Sequence, residues 1–572
     1  MPYFSSWRRF KFTTLMIITS FLLLGVALMG TSDLALSKGN GVKPQDIASV
    51  GGKSDVGSSN PVAFGEPVII PSTTPTTVTI LQKQAFGNAA PPVQNVVSLP
   101  NGNWQKAIIT VTGTEQGRQF DRLMLMWVGN AQIFTGVTPE PTASGIAWTV
   151  RKDVSAYLPL LKGTQTFTTL IDNFVTSVYT GIPAVSVSLA LYPRGGDLAA
   201  LAAETWNQDQ PNTIIPLTSS PNMVTVHPNQ TLSATLTLPD DVKGAYLDLY
   251  AIAQIGDEFW WTQIPAFREL EVSIDGKPAG MVWPFPFVYT GGVNPYLWRP
   301  ISAINTLNMP SYRLDLTPFA GLLGGQHTIS VSVFNNQDYW LLSGSLFLQE
   351  DNGHATSGSV TMNTLSFPTQ AQRSTTPLIA SASPSSNSQV DITATTRYQI
   401  SGLVHTSQGT VTASVVSSLN FSNDQVYTNP DNWEVVHGFQ EVITDESVSG
   451  PLAKSARHSD EMYSIDTASG FIQTSQSQNA FLLPSNLSQT LNVVRDASSF
   501  NLPTLHSRLN LNLEAFANLQ RGDSAANIPD VIIGSTTAQA SFETTSGLFY
   551  HRVLAARAGT VNMDQQESNF KN

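Results

Sequence analysis

An acidic pair runs directly into aromatic residues at Asp257-Glu258-Phe259-Trp260-Trp261, and the aromatic density continues through Trp283-Pro284-Phe285-Pro286-Phe287, Tyr289-Thr290-Gly291-Gly292 and Asn294-Pro295-Tyr296-Leu297-Trp298. Flat apolar rings stack on the faces of pyranose sugars while carboxylates accept their hydroxyl hydrogens, so this mixture suits a carbohydrate cleft better than a nucleotide site. The same rings are large enough to fill the space between two packed sheets, and most of them are expected in a core. A second acidic group surrounds Gly117-Arg118-Gln119-Phe120-Asp121-Arg122 and continues to Thr138-Pro139-Glu140-Pro141-Thr142 and Trp148. An Asp beside an Arg serves equally well as a turn-fixing ion pair. Glu140 is held between prolines, which fits rigid presentation on a loop as well as a solvated surface acid. In a strand, Asp257 and Glu258 would point to opposite faces, so at most one enters a given cleft, and Glu258 shares its parity with Trp260.

Other chemistries are poorly represented. The eight histidines are scattered without metal-ligand spacing, and no HExxH, phosphate-binding loop or dinucleotide fingerprint occurs. A Gly-x-Ser-x-Gly element exists only in broken form at Gly353 to Ser357. The absence of cysteine rules out thiol catalysis and disulfides alike. Carboxylate chemistry remains, with no metal and no cofactor expected. A formal charge of −12 and no basic cluster beyond Arg8, Arg9 and Lys11 make nucleic acid a poor partner.

The elements that must carry these acids read as strands. Alternating stretches recur at Lys106 to Val111, Leu123 to Val128, Val185 to Tyr192, Thr231 to Leu238, Ala245 to Ala253, Leu270 to Ile274, Thr328 to Phe334 and Ser343 to Leu348. Pro and Gly breakers separate them, and Ile274-Asp275-Gly276-Lys277 has the Asp-Gly pair that closes a hairpin. In Ala245 to Ala253, Tyr246, Asp248 and Tyr250 face one way and Leu247, Leu249 and Ala251 the other, a pattern for one covered face. Helical periodicity is sparse: Asp153 to Leu161 and Leu198 to Glu204 read as short turns, and Leu509 to Leu519 as an amphipathic helix. The expected fold is all-β, with two tandem antiparallel β-sandwiches and a C-terminal β-rich region. Residues 1–37 read as a signal peptide or single membrane anchor, with a basic start and an apolar run from Leu15 to Met29, so a secreted or membrane-anchored, extracytoplasmic protein is expected. A linker over 38–60, sandwiches over 61–220 and 221–372, and an accessory region over 373–572 complete the layout.

Several of these segments, taken together and in order, resemble the peptide N-glycanase A family of glycoamidases: Gly117 to Arg122, Glu140-Pro141-Thr142 with Trp148 and Lys152-Asp153-Val154, Tyr179-Thr180-Gly181, Asp257-Glu258-Phe259-Trp260, Val272 to Gly276, Pro284-Phe285-Pro286, Thr290 to Pro295, and Pro310-Ser311-Tyr312 with Asp315 to Phe319. The resemblance runs from about Lys106 to Leu348 and thins beyond Pro377. It implies a pair of jelly-roll-like sandwiches and hydrolysis of the amide between N-acetylglucosamine and asparagine in N-glycosylated peptides or denatured glycoproteins. It also implies an exported, metal-independent enzyme. Hydrolysing such an amide needs a base for water, donors for the oxyanion and an acid for the leaving nitrogen. On this reading Asp121 positions or activates water, Glu258 or Glu140 is the second proton-transfer group, and Arg122 or a backbone amide polarises the carbonyl. Trp260, Trp261 and Trp283 bracket the sugar, and Arg118, Asp257 and Trp148 complete the substrate contacts. With Asp121 and Glu258 in different sandwiches, the cleft is expected between them. A noncatalytic glycan-binding protein and a carboxylate-dependent glycoside hydrolase are the alternatives.

Overall fold

The computed structural model describes residues 59–194, 211–377, 388–428, 433–451, 454–470, 472–473, 481–499, 503–521 and 531–571. The expected leader, most of the expected linker and the turn at Leu198 to Glu204 lie outside them. Among the described residues no helix is long and apolar enough to cross a membrane.

A short strand, β1 (Val62–Phe64), precedes eight strands of a first sandwich: β2 (Thr76–Ala85), β3 (Val93–Ser98), β4 (Trp104–Glu115), β5 (Leu123–Val128), β6 (Ala131–Val137), β7 (Ile146–Asp153), β8 (Thr164–Ile171) and β9 (Ala184–Pro193). They pair antiparallel in two sheets, ordered β2-β9-β4-β7 and β3-β8-β5-β6. This is the strand order of a jelly roll. Inward residues of both sheets, among them Ile109, Met126, Trp127, Phe134 and Phe167, close one core.

The second sandwich repeats that order. Its strands are β10 (Thr213–Pro216), β11 (Val224–Val226), β12 (Thr231–Leu238), β13 (Val242–Ala253), β14 (Glu269–Ile274), β15 (Lys277–Val282), β16 (Ile301–Ile304), β17 (Tyr312–Asp315), β18 (Gly325–Phe334) and β19 (Trp340–Glu350). One sheet runs β10-β19-β13-β17 with β11 also on β19, and the other runs β12-β18-β14-β15. β16 stands apart as the parallel partner of β1. The β14–β15 hairpin turns at Asp275 and Gly276, whose φ angles of 49° and 75° are the positive pair that an Asp-Gly turn supplies.

Three expectations change here. β13 is buried along nearly its whole length rather than on one face. Leu247, Leu249 and Ala251 join the second core, while Tyr246 and Ile252 join the first, because the two sandwiches dock through this strand. The C-terminal region is also more than an accessory. Its strands, joined by Ser357–Asn363 from before it, form one antiparallel sheet, twelve-stranded among the described residues, whose apolar face shares a core cluster with the second sandwich through Ile392, Tyr398, Phe421 and Leu511. Leu509 to Leu519 lies within a strand, Leu505–Arg521, and not a helix.

Candidate active site

The carboxylates are delivered by equivalent connections of the two jelly rolls. Asp121 lies between β4 and β5, and Glu258 lies between β13 and β14, the same step in the repeated order. Glu140 lies between β6 and β7, and Tyr289, Gly291 and Arg299 lie between β15 and β17, again the same step.

Strand register brings the first two acids together. β5 and β6 pair with Leu123 opposite Val137. The ladder then extends by one rung, with the Arg122 amide donating to Thr138 Oγ1 at 2.9 Å and the Thr138 amide donating to the Arg122 carbonyl at 2.8 Å. Asp121 and Pro139-Glu140 therefore leave the same end of one hairpin side by side. The second sandwich closes against them: Thr290 Oγ1 donates to the Thr138 carbonyl at 3.0 Å. A methyl group at Gly291 would stand 2.8 Å from Glu140 Oε1 and 3.1 Å from Asp121 Oδ1, so any larger residue there must displace one or both carboxylates.

Glu258, from the other roll, bears electrostatically on the same side chain as Asp121, that of Tyr289. The buried Tyr289 hydroxyl donates to the Ala253 carbonyl at 3.0 Å. Burial, then the charges of Glu258 and Asp121, hold its proton far more firmly than usual. Glu258 also acts on Tyr339, whose shielded hydroxyl has no hydrogen-bond partner and faces the charge of Asp172 as well. The acids are thus arranged around Tyr289 and Gly291; among the described residues no three His, Asp or Glu side chains gather closely enough to hold a metal ion.

The electrostatics separate these groups. Glu140 is 7% exposed, and burial raises its pKa to about 7 despite the Arg299 guanidinium, whose Nη2 donates to Glu140 Oε2 at 2.9 Å. Asp121 adds to the rise and Arg118 opposes it. Glu115, at the end of β4 beneath the Asp121 loop, is raised to about 8 by burial, and neither of its carboxylate oxygens has a hydrogen-bond partner. A group with its pKa near 7 can carry a proton to a leaving atom at neutral pH.

Several site expectations are corrected by burial. Asp257 is fully buried and consumed by structure: Arg268 Nη2 donates to its Oδ1 at 2.7 Å, Trp340 Nε1 donates to its Oδ2 at 2.8 Å, and the Gln337 amide donates to both oxygens. Asp257 and Glu258 sit at a 3-10 turn, Ile255–Asp257, rather than in a strand. Only Glu258 remains for the cleft. Arg122 is 5% exposed and bonded to Gln119 Oε1 and the Phe174 carbonyl, so it braces the loop from inside instead of meeting a substrate carbonyl. Trp260 and Trp261 are core residues at 3% and 1% exposure. Trp148 and Trp283 are equally shielded and line a separate cavity that none of Asp121, Glu140 and Glu258 touches. Arg118 is exposed, with its guanidinium over the Tyr179 ring at 5.4 Å, and Tyr179 packs on Phe120 at 4.6 Å. Phe120, next to Asp121 in sequence, and Tyr179, against Arg118 in space, are thus partly exposed rings. Sequence reasoning missed Tyr289, Gly291, Arg299 and Tyr339 as site residues; the Gly291-Gly292 pair after Tyr289-Thr290 was the one local signal.

Two jelly rolls thus bring Asp121 and Glu140 of the first against Gly291 and Arg299 of the second in an all-β protein. A family model described as peptide N-acetyl-beta-D-glucosaminyl asparaginase amidase A matches residues 67–366. The peptide-N4-(N-acetyl-beta-glucosaminyl)asparagine amidase A of Prunus dulcis is 30% identical over 444 residues, covering 70% of this chain and 75% of the relative. The chain belongs to that amidase A family. Among solved structures, PNGase F of Flavobacterium meningosepticum aligns over 48% of this chain and 96% of its own at 14% identity and a TM-score of 0.33. PNGF-II aligns over 48% and 66% at 15% identity and a TM-score of 0.35. Alignments this loose place no residue of the site.

Proposed function

We propose that the chain is a glycoamidase that hydrolyses the amide between N-acetylglucosamine and asparagine in N-linked glycopeptides, with Asp121 and Glu140 as the proton-transfer pair. Membership of the amidase A family supports the reaction, and the carboxylate oxygens facing each other across Gly291 carry the assignment of roles. Asp121 takes a proton from water, whose oxygen bonds to the asparagine side-chain carbon. The carbon–nitrogen bond then breaks as Glu140 gives its proton to the departing nitrogen. Aspartate and a glycosylamine result, and the glycosylamine hydrolyses to sugar and ammonia. Arg299 stabilises the Glu140 carboxylate once the proton has left. Glu258 holds sugar or peptide polar groups from the second roll, and Arg118 with Tyr179 and Phe120 forms the ring-bearing wall of the first. Mass spectrometry of a digested N-glycopeptide in heavy-oxygen water tests this. The expected product is a peptide with labelled aspartate in place of glycosylated asparagine. A sugar left on asparagine would reassign the protein as a glycosidase, and an unchanged glycopeptide as a glycan binder. The basic start and apolar run of residues 1–37 support delivery outside the cytosol, which fractionation of the expressed full chain tests.

A further inference from the structure

Away from the Asp121 cleft, a cavity of about 1440 Å³ lies between the outer face of the first sandwich, strand β13 and the inner face of the C-terminal sheet. It exceeds the roughly 300–1,000 Å³ typical of sites for drug-sized molecules. Exposed Lys83, Thr112 and Arg151 stand on its rim, so it communicates with solvent. The mechanism above uses none of its wall.

The wall is charged but compensated. Lys106 pairs with Asp153 at 3.1 Å, Arg313 with Asp248 at 3.7 Å, Arg457 with Glu446 at 3.7 Å and Arg495 with Glu66 at 2.8 Å. These four cations each face a carboxylate, so this stretch of wall exerts little net pull on an ion and favours a neutral occupant, with Lys83, Arg151 and Lys152 lining the cavity outside such pairs. Guanidinium groups keep donors and carboxylates keep lone pairs beyond one partner, so the same pairs offer alternating donors and acceptors. Arg457 Nη1 also donates to the Tyr246 hydroxyl at 2.8 Å, fixing a phenol on the wall. The partly exposed ring of Phe285 supplies a flat apolar face between these polar groups. Neutral ligands of oligomeric size with hydroxyls around flat faces are oligosaccharides.

We propose that this cavity is a second, noncatalytic binding site for a neutral oligosaccharide. It reads independently of the roles given to Asp121 and Glu140.

The test uses the full chain carrying Asp121→Asn, titrated calorimetrically with a free oligomannose chain. Tyr246→Phe and, separately, Ser459→Trp, which fills the cavity wall, are introduced into the same background and into the otherwise unaltered chain. Saturable binding is expected, weakened about three- to tenfold by Tyr246→Phe through loss of one wall hydroxyl, and abolished by Ser459→Trp. Amide hydrolysis of a short glycopeptide by the otherwise unaltered chain is expected to stay within about twofold in both. Absence of saturable binding overturns the proposal, as does binding that neither variant changes, which would place the saccharide in the catalytic cleft alone. Should Ser459→Trp fail to fold, the Tyr246→Phe titration decides by itself. Failure of the catalytic reading would show differently, as glycopeptide hydrolysis surviving Asp121→Asn.

Discussion

The two jelly rolls share strand order and use the same two connections for the site, yet the first buries a cation beside its presented acid and the second buries an acid. In the first roll the β4–β5 connection is short, and Asp121 emerges next to a buried Arg122 that anchors it from behind. In the second the corresponding connection runs from Gln254 to Arg268, and Asp257 is sunk into a bidentate pair with Arg268 so that Glu258 can be presented. Each loop thus commits one charged neighbour to the interior and leaves one for the cleft. The first roll concentrates acids whose protons are held by burial, Glu115 and Glu140, while the second supplies the opposing cation, Arg299, and the ring, Tyr289. Under the proposed roles, the repeated frame divides into a proton-handling side and a supporting side.

The sharpest way to break this contrast is to remove the two aspartates separately. Asp121→Asn should lower kcat by about a thousandfold, within the usual range for loss of a positioned proton-transfer group, with the melting temperature unchanged. Asp257→Ala should cost about 3–5 kcal/mol of stability by stranding Arg268 in the interior, as read by denaturant unfolding. If Asp257→Ala leaves stability intact while Asp121→Asn unfolds the chain, the division of roles is reversed. Gly291→Ala comes next. Its methyl would push Glu140 and Asp121 apart, and misplacement on that scale costs about a hundredfold in rate. Steady-state kinetics with an unaltered unfolding curve would support the reading, and unaltered kinetics would remove the gap between the carboxylates from the mechanism.

The pH dependence sharpens it further. Glu140 carries its proton up to about pH 7, so activity should fall above that pH as the acid is lost, and the residual activity of Glu140→Gln should lack this limb. Stability follows the same sign. Glu115 and Glu140 have folded pKa values of about 8 and about 7, above the 4.5 of a free glutamate, so the folded chain binds protons that the unfolded chain releases. Their contribution is fully present below pH 4.5 and is lost as pH rises through 7 to 8. A melting temperature that climbs across that interval would contradict the buried, protonated state of these acids.

Strand positions were legible in the sequence because alternation and turn chemistry are local. Ile274-Asp275-Gly276-Lys277 named its own hairpin, and Thr231–Leu238 coincides with the alternating stretch. Leu509 to Leu519 misled because leucine, glutamate and alanine favour helices, although Leu509, Leu511, Leu513, Ala515 and Ala517 are buried at every second position. The acids of the cleft were visible as carboxylates on loops between strands. What local pattern cannot report is depth. Asp257 and Glu258 are neighbours in sequence, and only Arg268, Trp340 and Gln337, up to 83 residues away, decide that one is an anchor. The tryptophans carried no mark separating core from cleft, and Arg299 gave no sign that it would meet Glu140 from 159 residues away.

The C-terminal sheet brings the smallest and most discriminating effect. Irregular loops leave backbone carbonyls that no ladder satisfies, and buried ones need partners. Asn423, Gln425 and Tyr427, alternate residues on one strand face, meet that need: Asn423 Nδ2 donates to the Trp261 carbonyl at 2.9 Å, Gln425 Nε2 to that of Gln263 at 2.9 Å, and Tyr427 to that of Thr262 at 3.2 Å. Polar side chains on the inner face of this sheet thus cap the loop that carries Glu258. Asn423→Ala or Gln425→Ala should each cost about 1 kcal/mol of stability. Because the loop's carbonyls would then be free to move, kcat/KM for a glycopeptide should fall severalfold in the double variant, while the alkaline limb set by Glu140 in the other roll stays where it was. A double variant that shifts that limb would mean the C-terminal sheet reaches the proton-handling side as well, and that the two rolls are less separate than their loops suggest.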